Sequence, residues 1–537
     1  MSTAHSTRTA RGAIATSHHL ATEAGAAALE VGGNALDAAL AAAAALCVVY
    51  PNNVALGGDL VALVRKPDGT VVFINATGPA PRAQQLKVLQ QRHGTALPTR
   101  GVDAITVPGG VRGWELLHAL GATRSWSEHL DAAVRYAADG VPTARSVAAA
   151  IVDERADLET DAGCAAVFLP GGEPLAEGSP LVQPELAASL RGIQAGGPDE
   201  FYSGALAARW VAGIRALGST ISLDDTASYR SECGEAIEAD FGPYRVLTSP
   251  PNTQGFSLLR TLQAVQAQGV ADPLGADAGV TATLFARNNA VRDELLADPS
   301  RGGLSGLELM EASPLGDSEV ALAGRPSGDT VGLSTISADG WAVSLVQSVY
   351  FGFGACVLEP STGILFQNRG TSFSLEDDSP NVFAPGKRPR HTLMPVLVLR
   401  GDELAWVAAT MGGQAQPQIH AHLLLRSLAG ASPDEATTAP RWVIGVQDVG
   451  DTRLTATVEA DVPEAVRSAI EQAGFAIKSV PRHDELLGHS NLIRVDSDGY
   501  TAASDPRSDG SAIVVGARGS AGSNNDDDNN DTDNDNG

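Results

Sequence analysis

Lysine is almost missing from this chain: Lys66, Lys87, Lys387 and Lys478 are the only four in 537 residues. Arginine supplies the rest of 37 basic residues against 63 acidic ones, and the formal net charge is −26. That balance excludes nucleic acid and anionic membrane surfaces as main partners. Composition leaves two sources for it open, solvation for high salt or a GC-rich genome. Cysteine is also scarce. Cys47, Cys164, Cys233 and Cys356 have neither disulfide rhythm nor metal-ligand spacing, and are expected to be buried thiols. No metal and no cofactor are expected. The longest apolar run, residues 35–50, is interrupted by Asp37 and falls short of the ~20 residues of a membrane span. The start of the chain has no apolar core before Ile14, so no secretory signal is read there and the default location is the cytoplasm.

What is present points to a globular enzyme. Hydrophobic residues make up 43% of the chain, whose length exceeds one ordinary domain. Residues 14–16 read as a strand, 20–30 and 35–48 as helices broken at Gly32-Gly33-Asn34, and 60–64 with 70–74 as a hairpin. From about 112 to 290 the pattern is mostly helical. After residue 330 it turns strand-rich, beginning with a hairpin about Asp339-Gly340. A helix is expected from about 418 to 429. Residues 516–537, an Asn/Asp-rich tail without large apolar side chains, are expected to be disordered.

One residue carries the chemistry. In Gly328-Asp329-Thr330-Val331, a loop meets a strand whose first side chain is a hydroxyl. Cleavage between Asp329 and Thr330 would give a terminus holding a nucleophile and a base in one residue. The new α-amine has a pKa of about 7.7–8.0, near the operating pH a general base needs.

Segments in order along the chain resemble the γ-glutamyltranspeptidase superfamily of N-terminal nucleophile hydrolases. They include Ala15-Thr16-Ser17-His18, Gly32-Gly33-Asn34-Ala35, Leu56-Gly57-Gly58-Asp59, Pro250-Pro251-Asn252-Thr253-Gln254-Gly255, Gln367-Asn368-Arg369-Gly370, Met411-Gly412-Gly413 and Ser504-Asp505-Pro506-Arg507. The resemblance implies an α/β, four-layer αββα sandwich made by two chains of one self-cleaved precursor. It places the large subunit at residues 1–329 and the small one at 330–515. It implies Thr330 as nucleophile, Gly412 and Gly413 as oxyanion donors through their amides, and Ser348 as a supporting hydroxyl.

The departures concern substrate. The family's carboxylate-binding arginine maps to Ala76, and an asparagine near the nucleophile to Tyr350. The glutamine and aspartate that hold a glutamyl amino group map to Arg369 and Ser372, and the paired serines to His391 and Thr392. Acceptors for an ammonium are gone and a cation stands among them. The motifs resemble the oxamate amidohydrolase-like and cephalosporin acylase-like branch, which implies a small-molecule amide substrate. The alternatives are a true γ-glutamyltransferase of glutathione metabolism, with transpeptidation, and an uncleaved binding relative. A homodimer is left open. A metal hydrolase is disfavoured, because His420 and His422 are about 200° apart around a helix.

Overall fold

The computed structural model describes residues 4–6, 10–313, 329–497 and 499–516. Its frame is two seven-stranded sheets, face to face. One has the spatial order Ser511–Gly516, Ala10–Thr16, Asp329–Ser337, Ala342–Tyr350, Asp59–Arg65, Val71–Ala76, Glu232–Gly234. The other runs Ala4–Ser6, Gly499–Ser504, Ser490–Asp496, Glu403–Thr410, Val396–Arg400, Tyr244–Thr248, Ile237–Phe241. Ala13, Val61, Leu63, Val346, Leu397, Val407 and Ile493 form the apolar layer between them. Helices cover both outer faces, so the chain is an αββα sandwich.

Alternation along the strands builds this arrangement, because successive side chains point to opposite faces. In Asp329–Ser337, Val331 and Leu333 join the core beneath the helices. Ile336 joins the layer between the sheets. The central helix, Ala35–Val49, is buried at all fifteen residues, as an all-round apolar pattern requires. Asn34 and Asp37 close a capping box at its start. The fully buried Asp37 also accepts from Thr123, Arg124 and His129. Burial works against its charge, but these donors hold it well below the usual carboxylate range.

Both sheets mix strands from before and after residue 330. The Asp329–Thr330 bond lies at the first step of a central strand. Three expectations need correcting. The segment read as helical contains the strands Glu232–Gly234, Ile237–Phe241 and Tyr244–Thr248. Glu232–Gly234 and Ile237–Phe241 are short edge strands with few buried side chains, which leaves little alternation to read. Cys233, on the outermost of them, is exposed. Gly516 ends the last strand instead of opening a tail; residues 517–537 lie outside the described residues.

The sheets come into backbone contact at Gly332. A Cβ there would sit 2.7 Å from the Thr410 nitrogen and 2.8 Å from the Ala409 carbonyl carbon. Both atoms are backbone, so only movement of a sheet could make room. Gly332→Ala is therefore expected to cost about 1–3 kcal/mol of stability, the usual range for overpacking. A chemical denaturation curve unchanged from the wild type would count against this contact.

Candidate active site

The site forms where the ends of neighbouring strands line up. Asp329 pairs with Tyr350 and Val331 with Gln347, so the register slips across Thr330. Such a bulge re-aims a side chain. Thr330 Oγ1 donates to Ser348 Oγ at 3.1 Å, and Ser348 Oγ also accepts the Tyr350 N–H at 2.7 Å. The Thr330 carbonyl accepts from Asn53 Nδ2 at 3.2 Å. Thr330, Ser348 and Asn53 are all buried. The next strand begins with Asp59, which pairs in register with Ser348.

The second sheet supplies the facing wall. Strand Glu403–Thr410 runs into Met411-Gly412-Gly413. Gly412 has φ 142° and Gly413 φ 49°, backbone that favours glycine. A Cβ on Gly412 would lie 2.1 Å from Ile419 Cδ1. Gln254 Nε2 donates to the carbonyls of Gly413 and Thr392, each at 2.8 Å. It thereby ties the glycine turn to the segment carrying His391 and Thr392. On the other flank of the Thr330 strand, Asn491 Nδ2 and Ser17 Oγ donate to the Gly332 carbonyl at 2.7 and 3.3 Å.

Arg369 sits on the short helix Arg369–Ser372. Asn368 fixes that helix beside the strand end: its N–H reaches the Val349 carbonyl, and its Oδ1 accepts the Phe351 N–H. The Arg369 guanidinium carbon lies 3.6 Å from the Tyr350 ring centroid, a cation–π contact. Tyr350 holds φ 85° to make it, an outlier for a bulky residue. Arg369 Nη2 donates to Thr392 Oγ1 at 3.3 Å. Among the described residues, Nε and Nη1 of Arg369 have no hydrogen-bond partner, and no carboxylate forms an ion pair with it. Burial pushes this arginine down to about 10, against the pull of Tyr350 and Asp59, so it stays charged at neutral pH.

Two sequence expectations change here. His391 was matched to a substrate-binding serine, but its Nδ1 accepts the Leu393 N–H at 3.3 Å. Its Nε2 therefore carries the proton and donates to Asp59 Oδ2 at 3.2 Å. Both nitrogens are engaged, so His391 is a wall and a strut for Asp59. Ala76 is buried in the core beneath the helices, turned from the site. Asn75 and Thr77 take the other face, with Thr77 Oγ1 donating to Asn75 Oδ1 at 2.6 Å. Ser372 is buried, and its carbonyl accepts from Asn381. His420 and His422 bond separately, to the Met394 carbonyl and to Arg426.

Asp59, Gln254 and Gln367 stand in the matched segments but were given no role from sequence, and Asn53 was not singled out. Asp59 is fully enclosed. Its Oδ1 accepts from Gln367 Nε2 at 3.0 Å and from the amides of Gly78 and Gly109 at 3.1 Å. Burial pushes its carboxyl up to about 7, while Arg369, Gln367 and these amides pull it down. A carboxylate opening an otherwise apolar strand, Asp59-Leu60-Val61-Ala62, was the available signal. Surface cavities of about 590 and 440 Å³ are lined by Trp126 and Gly197 and by Tyr244 and Val265, not by these residues.

Comparison with known proteins agrees with this architecture. The family model described as gamma-glutamyltranspeptidase matches residues 21–515. The chain belongs to the γ-glutamyltranspeptidase family. It is 34% identical over 520 residues to a glutathione hydrolase-like YwrD proenzyme of Bacillus subtilis, covering 94% of this chain and 98% of that one. It is 35% identical to the oxamate amidohydrolase proenzyme of Klebsiella pneumoniae, covering 92% and 97%. A cephalosporin acylase from Bacillus halodurans superposes with a TM-score of 0.85 at 30% identity, over 94% of this chain and 96% of that one.

Buried histidines make acid sensitivity measurable. Burial pushes His489 down to about 4 and His420 down to about 3, whereas both would titrate near 6.5 when unfolded. Between pH 6.5 and those values the unfolded chain binds protons that the folded one refuses, so stability falls as pH drops. Asp59 acts oppositely: its raised value makes its contribution fall as pH rises from about 4 to 7. The difference between wild type and His420→Gln isolates the histidine term. The variant is expected to lose up to about 3 kcal/mol less than the wild type between pH 6.5 and 4. Parallel denaturation profiles for the two proteins would contradict a neutral buried His420.

Proposed function

We propose that this protein is a self-processing amidohydrolase that uses Thr330 as its nucleophile on small amides whose acyl part carries a carboxylate. The observation that carries the substrate class is Arg369: buried, charged, stacked on Tyr350, with two guanidinium nitrogens unmatched. A guanidinium fork recognises a carboxylate through paired hydrogen bonds. The printed name of the Klebsiella relative, an oxamate amidohydrolase, supports an amide of this kind. A γ-glutamyl donor would bring an ammonium to a place held by Arg369 and Ser372. That disfavours the glutathione reading suggested by the Bacillus relative's name.

Processing begins with attack of Thr330 Oγ1 on the Asp329 carbonyl. The acyl group passes from nitrogen to oxygen, and water hydrolyses the ester. This leaves residues 1–329 as one chain and a second chain opening at Thr330. The freed amine then serves as base. In turnover Thr330 attacks the amide, its amine carries the proton to the departing nitrogen, and water releases the acid. Ser348 orients the hydroxyl and Asn53 the Thr330 backbone. The Gly412 and Gly413 amides are assigned to the oxyanion, where loss of one donor typically costs about a hundred- to a thousand-fold.

Intact mass spectrometry tests processing. The wild type is expected as two chains, the smaller beginning at Thr330, and Thr330→Ala as one. An uncut wild type under folding conditions, including high salt, would remove the enzyme reading. A panel of amides with and without a carboxylate tests the substrate. Arg369→Met is expected to raise KM for the carboxylate-bearing amides at least thirtyfold, with a smaller change in kcat. Ser348→Ala is expected to slow both processing and turnover by roughly tenfold, one hydrogen bond's worth. Efficient release of glutamate from a γ-glutamyl anilide would displace this reading in favour of the glutathione one.

A further inference from the structure

Amide hydrolysis changes the charge of what the pocket holds. An amide and water give an acid and an amine, and at neutral pH the acid's proton passes to the amine. An acyl group already bearing one carboxylate therefore enters as a monoanion and leaves as a dianion. The second charge arises at Thr330, where the scissile carbonyl is attacked. Beside that point stands Asp59, in register with Ser348, whose Oγ is 3.1 Å from Thr330 Oγ1. Paired residues on adjacent strands lie only about 4.5–5.5 Å apart between Cα atoms.

Burial raises the Asp59 carboxyl to about 7 against the pull of its donors, so it is mostly an anion at pH 8. Gln367, Gly78, Gly109 and His391 all donate to it, and none of these contacts offers an acceptor for a proton. Burial keeps His391 well below its ordinary value, so it is neutral. The other groups that feel Asp59 are the Arg369 cation and the phenols of Tyr202 and Tyr229, kept protonated by burial. Asp59 and Arg369 do not form an ion pair, although both are buried. The site thus combines a buried cation with two unmatched guanidinium nitrogens and, at pH 8, a buried anion that already accepts from four donors. Like charges repel strongly where water is excluded.

We propose that Asp59 is a specificity-determining residue that limits the pocket to one ligand charge, admitting the monoanionic amide and expelling the dianionic acid formed from it. Arg369 selects for a carboxylate, and Asp59 selects against a second one. The inference rests on the reading of Arg369 as a carboxylate site, and the test separates the two.

Processed wild type is assayed at pH 8 with two competitive inhibitors that differ only in charge, a diacid and its methyl ketone isostere. These are oxalate and pyruvate for a two-carbon acyl group, or succinate and levulinate for a four-carbon one, matched to the best amide of the panel. The diacid is expected to bind at least tenfold more weakly than the ketone. Asp59→Asn is expected to close that gap by tightening the diacid, and Asp59→Glu, which keeps the charge, to preserve it. Equal binding of the two inhibitors to the wild type overturns the proposal without any variant, as does a gap that survives Asp59→Asn. Should Arg369→Met leave both inhibitors and the substrate KM unchanged, or should neither inhibitor compete, the carboxylate reading itself falls and this inference with it.

Discussion

At Gly332 the backbone of one sheet rests on the backbone of the other with no side chain between them. The site depends on that approach. Thr330 is two residues away on one sheet, and Gly412 is two residues past Thr410 on the other. A nucleophile and an oxyanion turn carried on separate sheets keep their geometry only if the sheets cannot slide. The hydrogen bonds of Asn491 and Ser17 to the Gly332 carbonyl fix the same spot from the side. Rigid elements place reacting groups more accurately than loops can.

Charge is distributed in this centre by burial. Arg369 has lost its water and gained an aromatic face, which leaves part of its hydrogen-bonding capacity unmet. An unmatched buried donor is costly, and that cost is recovered when a ligand supplies the missing acceptors. Asp59 is the reverse case, a carboxyl whose oxygens already accept from four donors. Two buried charges of opposite sign that do not pair give the pocket polarity without closing it.

Much of the fold was legible in the sequence, because long periodic segments announce themselves. The helix Ala35–Val49 and the hairpin at Asp339-Gly340 fall where the patterns put them. The short edge strands did not, since a strand with at most one buried side chain carries no period. In the site, the Thr330–Ser348 pairing agrees with the motif match, and Arg369 lies buried beside Tyr350 as an unpaired cation. Ala76 lies in the core beneath the helices, a side of its strand that residue type alone does not reveal. His391 was misread because residue type does not reveal that both ring nitrogens are already engaged. Asp59 was missed because its meaning lies across the strands, opposite Ser348, and no spacing along the chain encodes that.

The interleaving of the sheets bears on heredity as well as on shape. With strands from both sides of residue 330 woven into each sheet, the two pieces left by a cut at that bond share one hydrogen-bonded fabric. Neither could leave without unravelling both layers. Such pieces would stay with the partner they were translated with. A cell carrying two alleles would hold only parental pairings, and a defect in one piece could not be mended by borrowing the other from a sound copy.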